Sequence, residues 1–171
     1  MAKRTSLLAL AGFGAATAAA AWYGSRYSPR DARTRAWYAR LDKPALNPPN
    51  AAFPIVWTSL YTLMTISAYR VWQSEPSPER THALRLWATQ LAANARWTKL
   101  FFGKHRPDLA LADVITLETT ILAYIATARK VDRAASSMFI PYAAWVAFAT
   151  YLNAEIARKN PDARTLRPRA A

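Results

Sequence analysis

Long uncharged runs alternate with short basic ones along this chain. Residues 5–25 carry no charge over 21 positions, residues 44–69 none over 26, and residues 134–154 none over 21. Each matches or exceeds the ~20 residues that a helix needs to cross a bilayer. Two further stretches, about 80–102 and 108–128, interrupt their apolar positions with charge: Arg85, Arg96 and Lys99 in the first, Asp113 and Glu118 in the second. Leu84, Trp87, Leu91 and Ala95 still recur at helical spacing. The pattern predicts an all-α fold, an integral membrane bundle of five transmembrane helices over about 5–25, 53–72, 80–102, 108–128 and 134–157. A basic tail, 158–171, closes this single domain and reads as disordered.

The second span grows out of a stiff entry. Pro44, Pro48, Pro49 and Pro54 exclude helical interior around Asn47 and Asn50, because proline fixes φ and lacks an N–H. Beyond Pro54, Trp57, Tyr61 and Met64 fall on one helical face. Residues 26–43 read as a basic loop in which Trp37 and Tyr38 act as interfacial anchors. Pro141 reads as a mild kink in the fifth helix. The first run, preceded by Lys3 and Arg4, fits either a signal peptide or a spanning helix. Its Gly12, Ala16, Ala20 and Gly24 recur every four residues, a spacing that lets helices approach closely in lipid.

Charge changes this picture little. The formal net charge is +13, which in a soluble protein would suggest nucleic acid. Here the basic residues gather between uncharged runs, as they do in membrane loops, so no nucleic-acid partner is expected. Thirteen of them fall on the side of the first and third connections and the tail, against eight on the other side. The positive-inside rule then places the C-terminus in the cytoplasm. Inside the spans, acids need partners, and Arg96 is the candidate for Asp113. Arg85 and Lys99 are near enough to the helix ends to snorkel.

Candidate catalysis is sparse. Cysteine is absent, and the histidines are His82 and His105 alone. No glycine elbow or phosphate-binding glycine loop surrounds them, and His105 reads as a surface residue. Neither lies within a clear span where it could ligate haem. No catalytic residue, metal ligand or cofactor is expected from the residues themselves. The seven tryptophans say more. Trp57, Trp97 and Trp145 fall inside three different helical segments, where an indole N–H must find a partner or a cavity. Asn94 shares a face with Trp97. It fits either a polar tie between helices or the amide of an aromatic pocket for a large flat ligand. The basic loop above would attract carboxylates on such a ligand, or simply anionic lipid.

Three ordered motifs then point to a family. The first runs through Trp37, Tyr38, Leu41, Lys43, Pro44, Pro48, Pro49, Trp57, Leu60 and Tyr61; the second through Gln90, Leu91, Asn94, Trp97, Phe101, Phe102 and Gly103; the third through Pro141, Tyr142, Trp145, Phe148, Ala149, Leu152 and Asn153. Over about residues 37–161 the chain resembles the tryptophan-rich sensory protein family, whose mitochondrial members are called translocator protein or peripheral benzodiazepine receptor. The resemblance implies five membrane helices, a first segment retained as a helix, and many homodimeric members. It implies a receptor or transporter binding porphyrins (tetrapyrroles) and related planar apolar ligands, with the porphyrin as ligand rather than cofactor. It also leaves open an enzyme that breaks porphyrin down oxidatively in light, with Trp57 and Trp145 as redox-active neighbours. By resemblance the ligand-binding positions are Pro49, Phe53, Trp57, Asn94, Trp97, Trp145, Ala149 and Leu152. Leu46 and Ala51 stand where the family commonly has Trp, which thins the aromatic lid and loosens ligand capture; Ala154 stands where animal members carry a sterol-associated Tyr, so porphyrin is expected ahead of sterol.

Overall fold

The computed structural model describes residues 2–29 and 31–165. The chain is all-α there. Helix α1 spans Ala2–Ser25, α2 Ala32–Arg40, α3 Ala52–Gln73, α4 Pro78–Thr98, α5 Pro107–Ala128, α6 Arg133–Ser137 and α7 Ile140–Lys159, with a π-helical turn, Lys99–Gly103, continuing α4. Three segments are long and apolar enough to cross a membrane: Ser6–Ser25, Pro107–Ala128 and Arg133–Lys159. Helix α1 packs on α3 and α4, α4 on α5, and α5 on α7.

Two apolar clusters hold the bundle. The larger joins α3, α4, α5 and α7 through Met64, Val71, Leu91, Leu117, Ile121 and Val146. Several buried polar groups inside it are paired across helices. The Trp87 indole N–H donates to the Met64 carbonyl at 3.1 Å. Ser67 donates to the Ala135 carbonyl at 2.7 Å and meets the Tyr124 hydroxyl at 2.6 Å. Arg96 pairs with Asp113, as the charge pattern suggested, and pins α4 against α5. The second cluster lies at the loop end, where Trp37, Leu41, Phe101, Ala110, Ile156 and Ala163 meet.

Several local expectations change. Residues 26–43 are not wholly loop: Asp31 caps α2 by accepting from the Thr34 N–H at 2.9 Å. Trp37 is no interfacial anchor. It is buried, and its N–H donates to the Ala163 carbonyl at 2.8 Å. The tail is ordered through Thr165 by that bond and by Asn160, which bonds Asp42 in both directions. Arg167 and Arg169 of the tail and Arg30 of the first connection lie outside the described residues. His105 is half-buried rather than a surface residue, stacking on Trp37 with centroids 4.2 Å apart. The fifth helix does not kink at Pro141. It breaks between Ser137 and Ile140 and restarts with Pro141 in its first turn, where a missing N–H costs nothing. Of the small residues on α1, only some serve close approach. A methyl on Gly24 would meet Thr98 Oγ1 at 3.3 Å, whereas one on Gly12 would meet nothing within 4 Å.

Candidate functional site

The rigid entry before α3 determines where its aromatic residues stand. Pro49 is exposed in that entry, and its carbonyl accepts from the Ala52 N–H at 2.9 Å as the helix begins. Phe53, in the first turn, stands edge-on to Trp145 of α7 with centroids 5.9 Å apart. One turn on, Trp57 lies 5.2 Å from Tyr61 and 6.2 Å from Tyr142. Both rings are half of a polar node. The Tyr61 hydroxyl donates to Asn94 Oδ1 at 3.0 Å, and Asn94 Nδ2 donates to the Tyr142 hydroxyl at 2.9 Å. Asn94 is 5% exposed, so this amide ties α3, α4 and α7 together in the bundle interior.

Trp97 belongs to a second node. Its N–H donates to Asn153 Oδ1 at 3.0 Å, and Asn153 Nδ2 donates to the Pro107 carbonyl at 2.7 Å. Its ring stacks on Phe101 at 5.1 Å. The π turn adds one residue to the helical repeat, and Phe101, which is buried, and its neighbour Phe102 both lie against Trp37 and Tyr38. Ala149 is half-buried and Leu152 buried, one and nearly two turns beyond Trp145 on the same face of α7.

The structure thus brings Phe53 to Trp145, and Trp57 to Asn94 through two tyrosines. Among the described residues no ring contact joins Trp57, Trp97 and Trp145 to one another, although all three are half-buried against the larger cluster. A separate groove of about 370 Å³ opens between α1 and α3, lined by Gly14, Thr17, Thr58, Tyr61 and Thr65 among others. None of the eight candidate residues lines it; Tyr61 alone belongs to both places.

Sequence reasoning did not single out Tyr61, Tyr142 or Asn153 as site residues. An asparagine within a span was the available signal, since a buried amide must find partners and hydroxyls at matching depth are the natural ones. Above the site, the entry loop is held by Tyr38, whose hydroxyl donates to Asn47 Oδ1 at 3.3 Å and whose ring carries the Lys43 ammonium at 4.7 Å. Burial lowers the pKa of Lys43, against the pull of Asp42. Burial also lowers that of His105, with the Arg33 charge acting in the same direction.

The family model described as TspO/MBR family matches residues 8–158. The chain belongs to the TspO/MBR family. It is 44% identical to a tryptophan-rich sensory protein of Cereibacter sphaeroides over 131 residues, covering 75% of this chain and 81% of that one. Its identity to protein CrtK of Rhodobacter capsulatus is 38% over 164 residues, covering 94% and 98%. To the human translocator protein it is 32% over 151 residues, covering 87% and 88%. Membership of the TspO/MBR family, together with the apolar helices, makes the chain an integral membrane protein of receptor- or transporter-like class.

Proposed function

We propose that this TspO/MBR protein binds porphyrins and related planar, mostly apolar ligands among α3, α4 and α7, as a receptor or transporter. The observation that carries the reading is the Asn94 node. One buried amide, bridged to Tyr61 and Tyr142, is flanked by Trp57 and by the Phe53–Trp145 pair. Flat rings offer area to a flat guest at little entropic cost, and a single amide gives it orientation. Exposed Arg33, Arg35 and Lys104 at the loop end supply charge for ligand carboxylates.

Protoporphyrin titrated into purified protein, in the dark and in light, tests this through the Soret band. Saturable binding that weakens in Trp57→Phe and Trp145→Phe supports a receptor or transporter. Light-driven bleaching that depends on those tryptophans supports the enzymatic alternative. Titration indistinguishable from empty micelles refutes the binding reading. We also infer that the end bearing α2, the α4–α5 turn and Ala163 faces the cytoplasm, since it is the more basic end. Because the chain has no native cysteine, Arg164→Cys in intact cells settles the side: protection from an impermeant thiol reagent is expected, and labelling without lysis overturns the assignment.

A further inference from the structure

Gln90 is the most conspicuous polar residue that the candidate site does not use. It is 0% exposed, in the middle of α4, and among the described residues neither its Oε1 nor its Nε2 has a hydrogen-bond partner. Buried amides are normally satisfied, because stranding one forfeits its hydration. A second group lies at the same depth. Helices α4 and α5 run antiparallel and are pinned by Arg96 and Asp113. Six residues back from Arg96 is Gln90, and five residues on from Asp113 is Glu118, so the two differ in depth by one residue, about 1.5 Å. Glu118 Oε2 is likewise buried without a partner.

Both groups lie on helices that meet the α7 helix of Tyr142, α4 through Asn94 and α5 by packing. Gln90 shares the helix face of Asn94, which donates to the Tyr142 hydroxyl. Glu118 follows Leu117 on α5, which packs on α7, and Leu117 and Tyr142 belong to one buried cluster. A carboxylate at this depth in a span is costly, and such groups persist when paired or turned toward an internal polar site. Among the described residues Glu118 has no cation beside it: Arg96, the basic residue of this region of α4, is engaged with Asp113.

We propose that Gln90 and Glu118 form a buried hydration site between α4, α5 and α7, holding ordered water next to the Asn94–Tyr142 node. The amide offers a donor and an acceptor and the carboxyl a further acceptor, the two to four polar partners that a buried water needs. Such water continues the polar chain from Tyr61 through Asn94 and Tyr142 to Glu118, behind the aromatic residues rather than among them. The site does not depend on porphyrin binding, and its test uses no porphyrin.

The chain has two glutamines, Gln73 and Gln90, so labelling glutamine side chains with ¹⁵N gives two amide signals. Gln73 is exposed and serves as the control. In ligand-free protein in lipid nanodiscs, the Gln90 side-chain protons are expected to show cross-relaxation to a long-lived water, lost in Glu118→Leu. No water cross-peak at Gln90, or one unchanged in Glu118→Leu, overturns the proposal. Thermal unfolding gives an independent reading. If the amide is dry, Gln90→Met removes a stranded group and raises Tm. If it is hydrated, Gln90→Met lowers Tm, and its effect shrinks in the Glu118→Leu background because the two share one water. A raised Tm or strict additivity counts against the site; should a variant fail to fold, the wild-type cross-peak decides.

Discussion

Substituting Asn94 tests whether the bundle interior is tied together by one amide. Asn94→Leu keeps the branched side-chain skeleton and deletes two interhelical bonds, from Tyr61 at 3.0 Å and to Tyr142 at 2.9 Å. Interhelical hydrogen bonds within bilayers average about 0.6 kcal/mol and reach about 1.7, so losing two costs roughly 1–3 kcal/mol. For a chain of this size that corresponds to a Tm lower by about 3–10 °C in scanning calorimetry of nanodisc-embedded protein. The informative quantity is a sign. In wild-type protein Tyr61→Phe breaks a made bond and lowers Tm. In the Asn94→Leu background the Tyr61 hydroxyl is already stranded, so removing it restores stability, because an unpaired polar group costs more than an absent one. If Tyr61→Phe lowers Tm by the same amount in both backgrounds, the hydroxyl is not satisfied by Asn94 and the node does not exist.

Three further outcomes follow from geometry at other points. Arg96→Met lowers Tm more than Asp113→Leu, since the Asp113 side chain is 4% exposed and Arg96 58%: the first variant strands a buried carboxylate, at about 3 kcal/mol, while the second frees a group that reaches the surface. Equal losses refute this. Gly103→Ala lowers Tm because its methyl would stand 2.7 Å from Tyr27 Cδ1, and Tyr27→Ala in the same chain recovers most of the loss; absence of rescue shows that the clash is not the cause. Near Trp37, pH has a defined sign. The pKa of His105 is lowered from 6.5 by burial and by Arg33, with Asp31 opposing, so the unfolded chain takes up its proton first. The contribution is fully present above pH 6.5 and is lost as pH falls from there through the lowered value. His105→Phe should flatten this part of the Tm–pH curve, and an unchanged slope assigns it to another group.

Much of the fold was legible because the uncharged runs are long and few arrangements suit them. What escaped sequence reading was decided by contacts distant along the chain. Helix α2 rests on an Asp31 cap but matters because Trp37 reaches Ala163, 126 residues away. His105 reads as a polar loop residue until the left-handed backbone at φ 53 turns its ring onto Trp37. The break before Ile140 was hinted at by Pro141, but a proline alone does not say whether a helix bends or restarts. Within the candidate site, Trp57, Trp97 and Trp145 were visible as indoles in separate helices. Their partners on other helices, Tyr142 for Trp57 and Asn153 for Trp97, were not, because pairing across helices depends on rotation and depth, which periodicity leaves free.

The low mean hydropathy of −0.08 is explained by the same arrangement. Helix α3 has no charge before Arg70 but is rich in hydroxyls. Those of Thr58, Thr62 and Thr65 bond the carbonyls four residues back, at 2.8–2.9 Å, so they lower the hydropathy of the helix without leaving donors unsatisfied. Asn94 and Asn153 are 5% and 1% exposed, whereas Ile55, Ile115, Leu122 and Ile140 are each more than half exposed. Polarity is therefore directed inward or bonded to its own helix, and apolar surface faces outward, the reverse of a water-soluble bundle. In lipid that outward surface costs nothing, and the inward polar groups select one packing, because burial alone does not distinguish helix contacts when the solvent is itself apolar. The nodes at Asn94 and Asn153 thus do for this bundle what a hydrophobic core does in water: they determine which helices meet, and at what depth.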